Sequence, residues 1–143
     1  VLTPICVRFG DRKPRLRDGK GFLRNILVEH VRMTAPSASA IPCSISGIPG
    51  MRPSNITFRD VDLYFKGGGR AADASVKVSA ERPKAYPVIT TLGKRLPAYA
   101  FYVRHADDIL FENVRATVVD GEETRPPIVT DDALVSETNC KWK

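Results

Sequence analysis

The chain has 143 residues, 43% of them hydrophobic and 27% charged, enough for one domain, 1–143, with a moderate core. Its net charge of +6 and pI near 9.5 raise nucleic-acid binding, but the basic residues gather in "RFGDRKPRLRDGK" (8–20). That run lacks helical periodicity and carries its own aspartates, so it reads as a solvated loop with no nucleic-acid partner. The longest uncharged stretch (34–51) contains Pro36, Pro42 and Pro49, which excludes a membrane helix there.

In chain order, "TPICVRFG" (3–10) is the first strand-like segment. The abrupt start before it suggests a piece trimmed from a larger protein, in which an upstream export signal would not be seen. "NILVEHV" (25–31) follows, then "AIPCSISG" (40–47) and "NITFRDV" (55–61). A long segment rich in Gly, Pro and Lys (67–97) precedes "AYAFYVRH" (98–105), "DILFENV" (108–114) and "PPIVTDDA" (126–133). Within the insertion, "RAADASVKVSAE" (70–81) has room for a helical turn or two, although Val76 and Val78 alternate as in a strand.

The phrases at 25, 55 and 108 are copies of one another. Asn25, Asn55 and Asp108 open them, Ile26, Ile56 and Ile109 follow, and then Val28, Phe58 and Phe111. Alternation predicts a short strand with one buried face. It breaks at Glu29-His30, Arg59-Asp60 and Glu112-Asn113, and resumes with Val31, Val61 and Val114. Two strands joined by a polar corner describe one bend of a coil, and repetition of the sequence itself favours a solenoid over an antiparallel sandwich. Coils stacked at about 4.8 Å would pile the Ile and Val positions into apolar files and start an amide ladder at Asn25 and Asn55.

Cys6, Cys43 and Cys140 show no CxxC or Cys/His spacing, so neither a metal nor another cofactor is expected. Cys6 and Cys43 occupy similar places in successive strands; direct stacking would bring them within disulfide reach, yet reduced thiols are expected.

With "LRNILVEHVRMTAP", "PSNITFRDVDLYFKGGG", "LPAYAFYVRHADDILFENVRATV" and "RPPIVTDDA" in view, the chain resembles the C-terminal part of a polygalacturonase-type glycoside hydrolase, family 28, over about residues 4–133. The resemblance implies an all-β, right-handed parallel β-helix with one long loop insertion at 67–97. It also implies a parent enzyme cutting pectic polysaccharides by inverting hydrolysis, which needs a carboxylic acid and a water-activating carboxylate. The family's N-T-D and G-H-G motifs are absent, and "RLR" (15–17) is not its R-x-K. Asp107-Asp108 and Asp131-Asp132 read as turn residues, so no catalytic residue is assigned. The implied substrate contacts are Tyr99, Tyr102, Arg104, Glu81 and Tyr86. In the competing reading the tyrosines pack under the 67–97 loop and Arg104 pairs with an aspartate. His105 reads as a corner residue within reach of a ligand. The expected partners are an acidic, pectic polysaccharide and a second copy, joined through an open N-terminal coil. A non-catalytic carbohydrate-binding or assembly module is the alternative.

Overall fold

The computed structural model describes residues 3–11, 21–38, 41–86, 88–93 and 95–143. The basic run at 12–20 lies outside them. The strands are β1 (Cys6–Arg8), β2 (Arg24–Ala38), β3 (Cys43–Ser46), β4 (Ser54–Lys66), β5 (Phe101–Asp120), β6 (Ile128–Thr138) and β7 (Lys141–Trp142). Two 3-10 turns, Ala71–Ser75 and Ile89–Leu92, fall in the insertion. Among the described residues no helix is long and apolar enough to cross a membrane.

All these strands join one parallel sheet that curls on itself. β5 is the spine. Its first residues pair with β3 and its later ones with β4 on one side, while β6 and then β7 pair along the other. β1 lies on β3 and β2 on β4, so the chain is laid down in tiers: β1/β2, β3/β4, β5, β6/β7.

The strands do not stop at the predicted corners; β2, β4 and β5 run through them. Each corner is one residue in the left-handed region: His30 (φ 55°), Asp60 (53°), Asn113 (54°) and Asn139 (53°). A second set comprises Asn25 (61°), Asn55 (50°) and Asp108 (51°). Asn, Asp and His tolerate this region best among non-glycine residues, which is why the polar positions of the repeat hold them. One such residue turns the strand without losing its partners: Glu29–Arg59–Glu112 before the corner and Val31–Val61–Val114 after it remain in register.

The corner side chains also join tier to tier. Asn55 Nδ2 donates to Asn25 Oδ1 at 2.8 Å, as the repeat predicts. Asn113 Nδ2 donates to Asp60 Oδ1, and Asn139 Nδ2 to Asn113 Oδ1 at 3.3 Å, a second ladder that the repeat did not disclose.

Inward positions form the apolar files. Ile56, Phe58, Val61, Phe111 and Val114 are fully buried, with Ile109 almost so. Phe58 stacks on Phe111 at 5.4 Å between ring centroids, and Trp142 of β7 packs edge-on against Phe111 at 6.2 Å. Outward positions carry alternating charge: Arg59 lies 2.7 Å from Glu112 and 3.9 Å from Glu29, and Arg115 lies 2.7 Å from Asp62. Exposed pairs of this kind are screened by water and add little, so the inner files hold the sheet.

The cysteine reading needs a correction. Cys6 pairs with Ser44 and Cys43 with Phe101, so the two cysteines are one residue out of register. A one-residue offset reverses the face: Cys43 is fully buried within the core, Cys6 is exposed on the outside, and both are free thiols.

Two experiments test this packing. Asn55→Gly keeps the left-handed backbone and should cost less than Asn55→Ala, which loses both amide bond and geometry, by about 1 kcal/mol in urea denaturation. Burial pushes the Cys43 thiol up to about 12. Native protein should therefore show Cys6 reacting with a thiol reagent well before Cys43, and denatured protein three free thiols. Rapid labelling of Cys43 in the native state would mean an open core.

Candidate functional site

Outward residues of β3 and of the start of β5 follow a different rule from those of β2 and β4, because the insertion covers them. It begins at "KGGG", where close approach dictates glycine: a Cβ on Gly67 would lie 2.6 Å from the Glu122 carbonyl oxygen. One clamp holds both ends of the loop. The Arg125 guanidinium donates to Glu123 through Nε at 2.9 Å and NH2 at 2.8 Å, and its NH1 reaches the Leu96 carbonyl at 3.3 Å. The Gly69 N–H donates to the same Glu123 at 3.2 Å. Only 2% and 4% of these two side chains is exposed. Burial would raise the Glu123 pKa, but the hydrogen bonds from Arg125 outweigh it and the net direction is down.

Under the loop, Tyr102 packs with Ile41, Leu92 and Leu96, a small apolar cluster separate from the main core. Beside it is a network of charged groups. Arg104 NH2 lies 2.6 Å from Glu81 Oε1, its Nε 3.0 Å from Asp131 Oδ2, and its NH1 donates to the Ser79 carbonyl at 2.9 Å. The Nε contact is an ion pair without hydrogen-bond alignment. The Tyr102 hydroxyl donates to Asp131 at 3.1 Å. His105 Nε2 is 2.7 Å from Glu81 Oε1, and its Nδ1 is 2.6 Å from Asp132 Oδ2. Arg52, in the turn before β4, closes the network at 2.7 Å from Asp107 and 2.5 Å from Asp132.

Backbone geometry aims these groups. His105 (φ 47°) and Asp132 (φ 51°) are left-handed corner residues of adjacent tiers, stacked beyond Gly47. A side chain at Gly47 would strike the His105 carbonyl oxygen at 2.5 Å. Arg104 and Asp131 are register partners one residue before the corner.

The electrostatics are consistent across the cluster. Hydrogen bonds from His105 and then its own backbone N–H lower the Glu81 pKa. His105 and then Arg52 lower that of Asp132, and Arg52 lowers that of Asp107. Burial, reinforced by the charge of Asp131, raises the Tyr102 phenol well above its usual range. A general acid needs a carboxyl pKa shifted upwards. Every resolved carboxyl shift in this cluster goes the other way, so the arrangement is suited to holding charge rather than donating a proton.

A groove of about 440 Å³ opens between residues 74–78 and β6, lined by Val76, Lys77, Pro97, Tyr102, Val129 and Asp131, with Arg104 at its base. The sequence-predicted contacts divide around it. Tyr102 and Arg104 line it, and Glu81 grips Arg104 behind it. Tyr99 is buried in the main core, edge-on to Phe65 at 6.3 Å, and Tyr86 is exposed on the loop; neither is among the lining residues. Tyr102 under the loop and the Arg104–Asp131 pair match the competing reading of the sequence, whereas Tyr99, in the main core, does not. Lys77 and Arg52 were missed: the first lies in an irregular segment, and the second acts only through strands distant in sequence.

Compared with protein-family models, with characterised proteins and with solved structures, the chain matches none.

Glu123→Gln removes the carboxylate paired with the buried Arg125 guanidinium and should cost about 3 kcal/mol in chemical denaturation. A loss below about 0.5 kcal/mol would mean that the clamp does not hold the loop.

Proposed function

We propose that this chain is the C-terminal part of a right-handed parallel β-helix in a polygalacturonase-type glycoside hydrolase acting on pectic polysaccharides. In this reading it supplies scaffold and sugar contact, while the acid and base carboxylates reside elsewhere in the parent enzyme. The observation that carries it is the register: the phrases resembling that family stack residue on residue, Ile26–Ile56–Ile109–Val135, as successive coils of such a helix would. The groove adds chemistry suited to an acidic sugar. Lys77 offers an exposed cation, Asp131 a half-exposed acceptor for hydroxyls, and Pro97 with Val129 apolar surface for a pyranose face.

The isolated chain should release no reducing sugar from polygalacturonate or rhamnogalacturonan. Release above buffer that disappears in Asp131→Asn or Asp132→Asn would assign catalysis to these carboxylates and overturn the scaffold role. Reading the coding sequence upstream of Val1 tests the family: N-T-D, D-D and G-H-G in that order support it, and a promoter there would sink it.

The assembly alternative also has an observation in its favour. On β2, Ile26, Val28, Val31 and Met33 are only partly buried, whereas their neighbours on β4 are buried completely or nearly so. Antiparallel pairing of two β2 edges about a two-fold axis would match inward with inward positions and set Glu29 of each copy against Arg32 of the other. Sedimentation equilibrium should then find a dimer; a single species at 15.8 kDa over a wide concentration range would exclude it.

A further inference from the structure

The covering loop is held in two ways. The Arg125–Glu123 clamp fixes its ends. Its middle is held by Glu81, by Arg104 to the Ser79 carbonyl, by the Asp11 N–H to the Pro83 carbonyl at 2.9 Å, and by Arg8 to the Arg82 carbonyl at 3.0 Å. Of these contacts, only those of His105 depend on a group that titrates near neutrality.

Both ring nitrogens of His105 face carboxylate oxygens, Glu81 on the loop and Asp132 on β6. Carboxylates only accept, so both nitrogens must donate, and only the imidazolium has two N–H groups. A neutral ring keeps one bond and turns a lone pair towards the other carboxylate.

We propose that His105 is a proton-operated latch: protonated, it ties Glu81 of the loop to Asp132 of β6, and on deprotonation it weakens the hold on residues 76–86, which loosen over Tyr102 and open the groove. The charged groups around it are Glu81 from the loop, Asp132 from β6, Arg104 beside it on β5, and Arg52 from the turn before β4. Arg104 shares the Glu81 oxygen, and Arg52 shares the Asp132 oxygen and also holds Asp107. Burial lowers the His105 pKa, but the hydrogen bonds to Asp132 and Glu81 outweigh burial and the Arg104 charge, and the net direction is up from 6.5. The hold is therefore complete below pH 6.5 and is lost as the pH climbs through the folded value. On the acid side it persists until Glu81 and Asp132 protonate, below their usual ranges. The latch goes beyond the polysaccharide reading and does not depend on what enters the groove.

Hydrogen–deuterium exchange of 76–86 between pH 5 and 9, normalised for intrinsic rates, tests it alongside an NMR titration of the histidines. The chain has two histidines, and their signals are assigned with His30→Gln. Protection of 76–86 should fall about tenfold for each unit by which the His105 midpoint exceeds 6.5, while β4 amides keep theirs. In His105→Gln, protection should be low and independent of pH. A His105 midpoint at or below 6.5, or flat wild-type protection through its titration, would overturn the latch. Neither readout uses a polysaccharide, so failure here leaves the proposed function to its own test.

Discussion

The architecture depends on one backbone constraint: a parallel strand must turn a corner without giving up its neighbours. A turn of several residues would interrupt the ladder and leave buried N–H and C=O groups to be satisfied by other means. A single left-handed residue avoids this, and the chain uses it in stacked positions, His30, Asp60, Asn113 and Asn139 among them. Because the same residue in each tier makes the turn, the tiers superpose. Ile falls on Ile and Val on Val, and the apolar interior follows. The strain of a left-handed non-glycine residue is offset by side-chain bonds between tiers, Asn55 to Asn25 and Asn139 to Asn113.

The constraint also divides the outer surface. Where β2, β4 and the later half of β5 face outward, nothing described covers them except their own side chains, and alternating charge keeps the files soluble without much energy. Where β3 and the start of β5 face outward, the insertion covers them. Covering changes the dielectric. There, the covered Arg104 is matched by Glu81 and Asp131, because an arginine taken out of water without a countercharge is destabilising. Glu81, Tyr102 and His105, all shifted, lie on this side, and hydrogen bonds from His105 and Arg52 shift Asp107 and Asp132 at its edge.

What the sequence disclosed and what it hid follow from the same division. The stacked strands and the Asn25–Asn55 bond were legible because period-two alternation and repeated phrases are local signals. The cysteine register was not: "TPICV" and "AIPCS" look equivalent, but pairing is fixed by neighbours on β5, and an offset of one residue separates an exposed thiol from a buried one. The start of the last tier was legible in "PPIVTDDA", but its continuation was hidden because its pattern has decayed. Val135 keeps the isoleucine file, yet Glu137 stands where Phe111 would predict an aromatic, and Trp142 supplies the missing ring from β7. Tyr102 and Arg104, two residues apart on β5, share one face as period-two alternation requires. Glu81 was named as their neighbour in kind, but nothing in a chain of Gly, Pro and Lys could show that it bridges Arg104 and His105.

Corner chemistry and charge matching meet at one place. A left-handed position favours Gly, Asn, Asp or His, and in the tiers stacked beyond Gly47 the choice is His105 and Asp132. Amides stacked at such a corner make bonds that no physiological pH alters, as Asn25 and Asn55 do. Glycine makes none. Histidine on aspartate is the pairing from this short menu that adds a proton equilibrium to the turn, and here the loop places Glu81 on the free nitrogen. The fold required only that His105 accept φ 47°; asparagine would have met that requirement. Asparagine could have donated to one carboxylate through its amide, but it could not span from the corner of β5 to both Glu81 and Asp132. The titratable bridge is thus an addition to the backbone requirement rather than a consequence of it.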